Sequence, residues 1–564
     1  MILHKLSEYA ESVEEYPPIH FEYRELDWMI EVEEGRVDFI PLKEVSKEFL
    51  YAENIVRRSG LKVLPRLLGD KVGYVLGEPD KACADEFEKD FSRRKFKSFY
   101  ELVRECYEKT GVEKLKDVLL LKEKRSNLEI PEEMNAGDWL GIRVEGEYLL
   151  NKSEIQNYWQ KKQNEVAGER SDLTAKCLIC GEKKTIADRH PEKIQMQSFG
   201  GQGSGNTLVS ANENAFESYG LKASYIAPVC FGCGMKYGRA ANHLLNHDET
   251  EFNRVRAGGI VYIFWRQNPK EKDLGIGRLV SSPEETEVKS FIESYKSGSK
   301  REISTEDFYI LALNANDARA VVKDWIVTTF ENVNRNLVRY FGSMRIGQNP
   351  RYYGLQTLAV STAFDFDRIK STVVESLVSY ALAGAPLNYS VLQNVIRRNK
   401  VEAGGKDGSS WKAVSHARAV LLKMFFNSQQ GGDFQVKSTL NKNEKDGAYL
   451  CGRLFAVIER IQTLAVPGIK STVVDKYYGT ASTAPASVFG NLIRKAQNHL
   501  AKLRKEEKRK GAYYGLQKEM EEIMKDLDDF PAYLSLQEQG KFALGYYQQR
   551  GYRPVQNENE KEQG

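Results

Sequence analysis

The pattern of apolar and polar positions divides the chain into an N-terminal part of mixed character and a C-terminal part dominated by helices. Short apolar runs at residues 28–32 and 74–76 are typical of strands, whereas residues 99–109 have the spacing of a helix. Residues 259–265 are apolar, β-branched and aromatic, which predicts a buried strand. The first part of the chain is therefore expected to be α/β or α+β.

From about residue 310 onward, apolar residues recur every three or four positions, which predicts helices. The clearest stripes run from Leu454 to Ala465 and from Val488 to Leu503. Pro467 and the glycine after it separate the two segments. Because each apolar stripe must pack on a partner, we expect a bundle of about four helices.

Four of the seven cysteines form two Cys-x-x-Cys pairs, each followed by glycine. These cysteines are Cys177, Cys180, Cys230 and Cys233. A two-residue spacer lets both thiolates of a pair reach one tetrahedral ion, and the glycine permits the tight turn. We therefore expect these four residues to hold a structural zinc ion.

Two alternatives to the four-cysteine site stay open, because the 49 residues between the pairs exceed the spacing of compact zinc motifs. His243 and His247 lie four residues apart, on one face if they are helical, and would complete a ligand set with the second cysteine pair. The other alternative is that all four are ordinary reduced cysteines.

The length of 564 residues exceeds what one hydrophobic core usually serves. The expected fold class is α+β multidomain, with a mixed α/β N-terminal part, a four-cysteine zinc-knuckle region and a C-terminal helical bundle. The expected parts are an α/β domain at 1–175, a zinc-knuckle and β region at 176–300, a mainly helical middle region at 301–434, the bundle at 435–550 and a flexible tail at 551–564.

The charge is almost balanced, with 82 basic and 79 acidic side chains, so nucleic-acid binding would have to come from local patches. A loop-like stretch with glycine and proline forms the first patch. Its cationic residues are Arg57, Arg58, Lys62, Arg66 and Lys71. This stretch is expected to approach duplex DNA, the alternative being a solvated surface loop.

A second patch, residues 491–510, contains eight basic residues and two glutamates. Lys495, Lys502 and Arg509 are seven residues apart on one helical face, and Arg504 lies nearby. Such a face suits the phosphates of a nucleic acid, although charge runs on helices are often only solvated.

The chain lacks the motifs of phosphate-loop NTPases, zincins, α/β-hydrolases and protein kinases, so we assign no catalytic residues. It also has neither a signal-peptide pattern at Met1 nor a run of about 18 apolar residues. We expect a cytoplasmic protein.

Several segments resemble the large subunits of type I-C CRISPR Cascade complexes. The similar segments, in chain order, are residues 58–77, 215–220, 307–319 (DFYILALNANDAR), 452–462 (GRLFAVIERIQ), 481–486 (ASTAPA) and 539–550 (QGKFALGYYQQR). They span most of the chain.

The resemblance implies a non-catalytic subunit that recognises a short motif beside the target in duplex DNA, helps to open the duplex and holds the displaced strand in the R-loop. Its implied partners are the backbone, guide-processing and small Cascade subunits with their guide RNA, the target DNA, and a helicase-nuclease recruited in antiviral defence. Paired zinc knuckles are not a universal feature of this family.

The resemblance also implies that the bundle corresponds to a part that can be made separately as a small subunit. Gly431 and Gly432 would release it from the preceding domain, and Met424 is a candidate internal start. Two other functions remain open for the whole chain. One is a zinc-containing nuclease of unrecognised type, and the other is a protein-binding scaffold with ordinary charged surfaces.

Overall fold

The structure is a computed structural model of the chain, and it forms two compact units. Unit 1 comprises Met1–Ile194 and Thr207–Asn242, and unit 2 comprises Gln195–Asn206 and His243–Gly564. The structure describes all residues except 1, 14–15, 43–46, 57, 59–60, 81–84, 171–172, 212, 249–252, 258, 268–274, 298–305, 348–350, 404–412, 430, 432–433 and 553–564.

Unit 1 mixes short strands with helices. Its elements are α1 (Ile2–Ser12), β1 (Phe21–Glu25), β2 (Trp28–Glu33), β3 (Arg36–Pro41), β4 (Glu48–Ala52), β5 (Gly69–Lys71), α2 (Val72–Val75), α3 (Glu86–Thr110), α4 (Leu115–Lys124), β6 (Trp139–Val144), β7 (Glu147–Tyr148), α5 (Ser153–Arg170), β8 (Thr174–Lys176), β9 (Lys183–Thr185) and α6 (Phe231–Asn246), of which residues 231–242 belong to this unit.

The main sheet of unit 1 has the strand order β3-β2-β6-β5, and β7 pairs with β6. β2 and β6 are parallel, and the other pairs are antiparallel. The strand predicted at residues 28–32 is confirmed, as is the helix at 99–109, which lies within α3. The strand predicted at residues 74–76 is wrong. These residues lie in and after the short helix α2, where the backbone N–H of Leu76 donates to the carbonyl oxygen of Val72. The run is buried on all sides, and a short, fully buried apolar run has no periodicity that distinguishes a strand from a helix.

A separate antiparallel pair is formed by β1 and β4, with Phe21 opposite Ala52. The indole Nε1 of Trp159 on α5 donates to the carbonyl oxygens of His20 and Glu53, at 3.2 and 3.1 Å, and so holds one end of the pair. These contacts fix the position of β1 within unit 1.

Unit 2 begins with strands and continues as helices. Its elements are β10 (Arg254–Ala257), β11 (Ile260–Arg266), α7 (Ile276–Ser281), α8 (Glu285–Ser297), β12 (Asp307–Asn316), β13 (Arg319–Thr329), α9 (Phe330–Ser343), α10 (Leu355–Val360), α11 (Ser371–Val378), α12 (Tyr389–Ala403), α13 (His416–Ser428), α14 (Gly447–Ala465), α15 (Val473–Ala481), α16 (Phe489–Lys505), α17 (Lys510–Lys525) and α18 (Leu536–Gly551).

The sheet of unit 2 is antiparallel, in the order β10-β11-β12-β13. β11 confirms the buried strand predicted at residues 259–265. The continuous helical part begins at Phe330, later than the sequence pattern indicates, because residues 307–329 form the long hairpin of β12 and β13. Alternating side chains of β12 contribute to the same hydrophobic core as the helices that follow.

The helical part is arranged around α14, whose residues are buried over most of its length. Both apolar stripes predicted for the bundle are confirmed, since they lie on α14 and α16. Glu459 of α14 is buried and accepts a hydrogen bond of 2.8 Å from the hydroxyl of Tyr546 on α18, and its burial raises the pKa of this carboxyl group. The predicted fold class, with an α/β N-terminal part and a helical C-terminal part, is confirmed.

Candidate metal centre and nucleic-acid interface

The four cysteines of the two pairs come together in unit 1. Cys177 and Cys180 lie in the turn between β8 and β9, and Cys230 and Cys233 lie at the start of α6. Their four Sγ atoms all lie within 4.8 Å of one another. Thiolates that share one tetrahedral zinc ion, at a Zn–S distance of about 2.3 Å, require a cluster of roughly this size. The cluster is therefore compatible with zinc.

The local backbone supports the cluster. Gly181 has a φ of +73°, the left-handed conformation that its turn requires. The backbone amides of Ile179 and Cys230 each donate to the Sγ of Cys177 at 3.4 Å. Hydrogen bonding from the Cys233 thiol is the main cause that lowers the pKa of Cys230 to about 5. Hydrogen bonding to Cys230 raises the pKa of Cys233, and burial raises that of Cys180. The site thus favours one thiolate, at Cys230, and thiolate is the form in which cysteine binds a metal.

The alternative ligands are His243 on α6 and His247, which follows the last residue of that helix. Their rings are stacked at a centroid distance of 4.7 Å. Within the described residues, the four cysteines are the one group of three or more potential ligand side chains close enough to share an ion. Burial lowers the pKa of His243 to about 4. The structure therefore favours the four-cysteine set over the mixed set.

The first predicted DNA-contacting stretch lies in unit 1, and Arg57 falls outside the described residues. The guanidinium of Arg58 makes a two-pronged ion pair with the fully buried carboxylate of Asp70 and lies 4.1 Å from the ring centroid of Tyr74. Asp70 also accepts the backbone N–H groups of Arg66 and Lys71, both at 2.7 Å. The Arg58–Asp70 pair thus holds the loop in shape.

Two other predicted residues, Arg66 and Lys71, lie beside Trp139 at the start of β6. Three cationic groups surround this indole ring. The Arg24 Cζ, Arg66 Cζ and Lys71 Nζ atoms lie 4.3, 5.3 and 5.3 Å from its centroid. The ring of Tyr51 meets the indole edge-on, at a centroid distance of 5.4 Å. We call Arg24, Arg66, Lys71 and Trp139 the Trp139 cluster.

The charge of the Trp139 cluster is only partly balanced. Glu22 accepts from Arg24 Nη2 at 2.9 Å and from Arg66 Nη1 at 2.8 Å. Lys71 has no ion-pair partner within the part of the chain that the structure describes. A second carboxylate lies close by, because Asp27 accepts from the backbone N–H of Trp139 at 2.7 Å. Three cations against two carboxylates leave an excess of about one positive charge beside an aromatic ring, an arrangement that attracts an anion.

Sequence reasoning missed Arg24 and Trp139, which are far from the basic stretch along the chain. Arg24 lies on β1 among acidic residues, and no spacing rule connects it to a tryptophan 115 positions later. Lys62 is exposed, and the neighbouring Leu61 is 61% exposed. Arg66 and Lys71 therefore belong to a site built from β1, β5, β6 and the loop before β5, whereas Lys62 lies on the exposed part of that loop.

The second predicted patch lies on α16 and in the turn after it. Lys495 donates to the hydroxyl of Tyr477 at 2.8 Å. Lys502 and Arg509 donate to the carbonyl oxygens of Ala465 and Leu464, at 2.7 and 2.6 Å, in the last turn of α14. Cations at this position stabilise a helix C-terminus.

Arg504 faces the other way on α16. Its side chain is exposed, and it makes no hydrogen bond or ion pair to any described residue. Arg494, Lys505 and Lys508 are also exposed. Tyr514 follows on α17 and is 66% exposed. The seven-residue spacing predicts Lys495, Lys502 and Arg509 as the outward-facing cations, whereas the exposed cations without a carbonyl partner on α14 include Arg504 and Arg494.

Comparison with protein families finds a match to a model described as CRISPR-associated protein (Cas_Csd1), which covers residues 3–553. The chain belongs to the Cas_Csd1 family. No curated protein matches it in sequence. Membership of this family supports the assignment of the chain as a CRISPR-associated subunit of the Cascade type that works with other Cascade subunits. The resemblance of the sequence motifs implies the same assignment. None of the helices within the described residues is long and apolar enough to cross a membrane.

Proposed function

We propose that this chain is the large, non-catalytic subunit of a type I-C Cascade complex, and that unit 1 recognises the motif beside the target in duplex DNA. Family membership supports the Cascade assignment. The observation that carries the DNA-contacting role is the Trp139 cluster, where cations from β1, β5 and the preceding loop meet at one partly exposed ring. Arginine and lysine side chains of this kind supply phosphate and base-edge contacts.

Arg24, Arg66 and Lys71 carry this contact in the proposed complex, and Lys62 extends it along the exposed loop. Arg58 has a structural role, because its ion pair with Asp70 holds the loop that carries Arg66 and leads to Lys71. The chemistry of target cleavage is left to a recruited helicase-nuclease. The four cysteines hold a structural zinc ion in this proposal.

The displaced single strand is proposed to follow the outward face of α16. Arg504, with Arg494, Lys505 and Lys508, supplies phosphate contacts, and Tyr514 offers a ring on which an unpaired base can stack. Lys495, Lys502 and Arg509, which the sequence pattern selects, stay beside this path. The last two chiefly stabilise the end of α14.

Binding of motif-containing duplex by the assembled complex tests the first role. Lys71→Ala and Lys62→Ala should each weaken binding. If the lost contact is to a base, the loss should be roughly 1–3 kcal/mol and discrimination of the motif should relax. If the lost contact is to a phosphate, binding should weaken equally for all sequences. Trp139→Ala should weaken it as well, because the cations lose their shared support.

Lys116→Ala provides a matched control, since Lys116 also lies over an aromatic ring of unit 1, that of Tyr107 at 5.4 Å, but is paired with Glu113 at 2.5 Å. Unchanged binding in both Lys71→Ala and Trp139→Ala contradicts the proposal. Cleavage of DNA or RNA by the purified protein with a divalent metal would instead favour a zinc-containing nuclease.

A further inference from the structure

The helix that carries the second cysteine pair also holds the segment that leads into β1. Arg239 of α6 donates from Nη1 to the carbonyl oxygen of Pro17 at 2.8 Å and from Nη2 to that of Phe21 at 2.7 Å. The hydroxyl of Tyr16 donates back to the carbonyl oxygen of Arg239 at 3.1 Å. One arginine thus binds both ends of residues 17–21.

The middle of this segment packs on the first turn of α6. The ring of His20 stacks on that of Phe231, with centroids 4.8 Å apart. His20 is 2% exposed and has a φ of +66°, a conformation that a residue with a side chain adopts only when its surroundings hold it there. The packing on Phe231 and a contact of 3.2 Å between His20 Nε2 and the Asn164 side chain supply this support.

Phe231 lies between two of the proposed metal ligands, Cys230 and Cys233. On the other side, Phe21 is the first residue of β1, the strand that carries Arg24 of the Trp139 cluster. A chain of contacts therefore runs from the cysteines through Phe231 and Arg239 to the strand that positions Arg24.

We propose that the four-cysteine metal centre positions the Trp139 cluster, and that Arg239 and Phe231 are the residues through which it acts. A bound metal fixes the first turn of α6, α6 fixes residues 17–21, and β1 then holds Arg24 against the indole ring. Neither Arg239 nor Phe231 contacts DNA in this account. The inference rests on the proposed DNA-contacting role of the cluster, and it makes target recognition depend on metal occupancy.

Arg239→Gln tests the link within the full-length chain in the assembled complex. The variant should keep its zinc but bind motif-containing duplex more weakly. The slope of log K against log salt should become shallower by about one for each lost phosphate contact. Simple loss of folded protein would lower the active fraction and leave this slope unchanged. Arg239→Lys retains a donor and should restore part of the affinity.

Lys236→Ala is the matched control on the same helix, because Lys236 contacts Glu11 at 2.6 Å and makes no hydrogen bond or ion pair with the described residues of 17–21. It should leave zinc content, affinity and salt slope unchanged. Phe231→Leu provides a second, milder variant, which removes the ring stacked on His20 and should act in the same direction as Arg239→Gln. Wild-type affinity and salt slope in both Arg239→Gln and Phe231→Leu overturn the inference.

A double-mutant cycle with Trp139→Ala separates this inference from the proposed function. If Arg239 acts through the cluster, its substitution should have little further effect once Trp139 is removed, so the two losses are non-additive. Full additivity means that Arg239 acts elsewhere and overturns the inference. If Trp139→Ala itself leaves binding unchanged, it is the proposed function that fails.

Metal removal gives an independent measurement. Chelation of zinc from the full-length protein should lower the affinity and the salt slope toward those of Arg239→Gln, and added Zn²⁺ should restore both. In the Trp139→Ala background, chelation should change the affinity little. Wild-type protein that keeps its affinity and salt slope after verified loss of zinc overturns the inference.

Discussion

Gly452 on α14 faces the backbone of Phe542 on α18 so closely that neither helix has room for a side chain between them. A Cβ atom on Gly452 would lie 2.0 Å from the carbonyl oxygen of Phe542. The contact is reciprocal, because a Cβ atom on Gly545 would lie 2.1 Å from the carbonyl oxygen of Tyr449. Two glycines thus set the crossing of the two helices at the centre of the helical part.

Gly452→Ala should therefore destabilise the protein. The added methyl group forces α14 and α18 apart, and overpacking of this kind costs about 1–3 kcal/mol. Gly515→Ala on α17 is the matched control, since a Cβ atom at this position would meet no described atom within 4 Å beyond its own helix. That substitution should stabilise the helix by roughly 0.5–1 kcal/mol. Thermal unfolding of both variants measures the difference, and equal effects would contradict this account of the contact.

The sequence predicted individual helices of the bundle better than it predicted how they pack against one another. The stripes on α14 and α16 follow from apolar spacing alone, but spacing does not say which helices cross or where glycine permits close approach. The grouping of the four cysteines could likewise be predicted, because the two-residue spacer of each pair is typical of residues that share one ion. Arg24 and Trp139 could not, since the fold alone brings β1 and β6 to one place.

The four-cysteine site predicts about one equivalent of zinc for the wild-type protein. Cys180→Ser should lose the metal, with local unfolding of the turn between β8 and β9, because the remaining three thiolates no longer close the tetrahedral set. Metal analysis together with limited proteolysis measures both effects. His243→Ala should retain the metal. Loss of zinc in His243→Ala with retention in Cys180→Ser would reverse the assignment of the ligands.

The Arg58–Asp70 pair predicts a stability effect with a defined pH dependence. Arg58→Ala leaves the fully buried Asp70 carboxylate without its counter-charge, a change that costs roughly 3 kcal/mol. Burial already raises the pKa of Asp70 above its ordinary value, and removal of Arg58 should raise it further.

A raised carboxyl pKa means that the folded state binds a proton more tightly than the unfolded state. The variant's loss of unfolding free energy relative to wild type should therefore be small near pH 4, where Asp70 is protonated in the folded variant. This loss should grow as the pH rises from the folded-state pKa of Asp70 in the wild type to the higher pKa in Arg58→Ala. Denaturant unfolding of wild type and variant at pH 5 and pH 7 measures the change. A deficit that is independent of pH would mean that Asp70 keeps another counter-charge.

The core of the helical part makes a prediction about a separately produced small subunit. The sequence analysis implies that the bundle can be made separately from a start at Met424, so a fragment of residues 425–564 would be expected to fold alone. In the structure, however, a Cβ atom on Gly540 of α18 would lie 3.0 Å from Leu392 on α12 and 3.1 Å from Phe426 on α13, so both helices pack against α18. A product that starts near Met424 keeps Phe426 but lacks α12, with Leu392, and most of α13, so it exposes part of this face of α18 to water.

We therefore expect residues 389–564 to form a more stable fragment than residues 425–564. Burial of the α12 and α13 side chains that face α18 contributes stability in proportion to the apolar area removed from water, about 25 cal/mol per Å². Circular dichroism during heating, with solubility measured in parallel, compares the two fragments. Equal unfolding temperatures would show that α14–α18 form a self-sufficient bundle, and an internal start near Met424 would then yield a folded small subunit without help from the preceding helices.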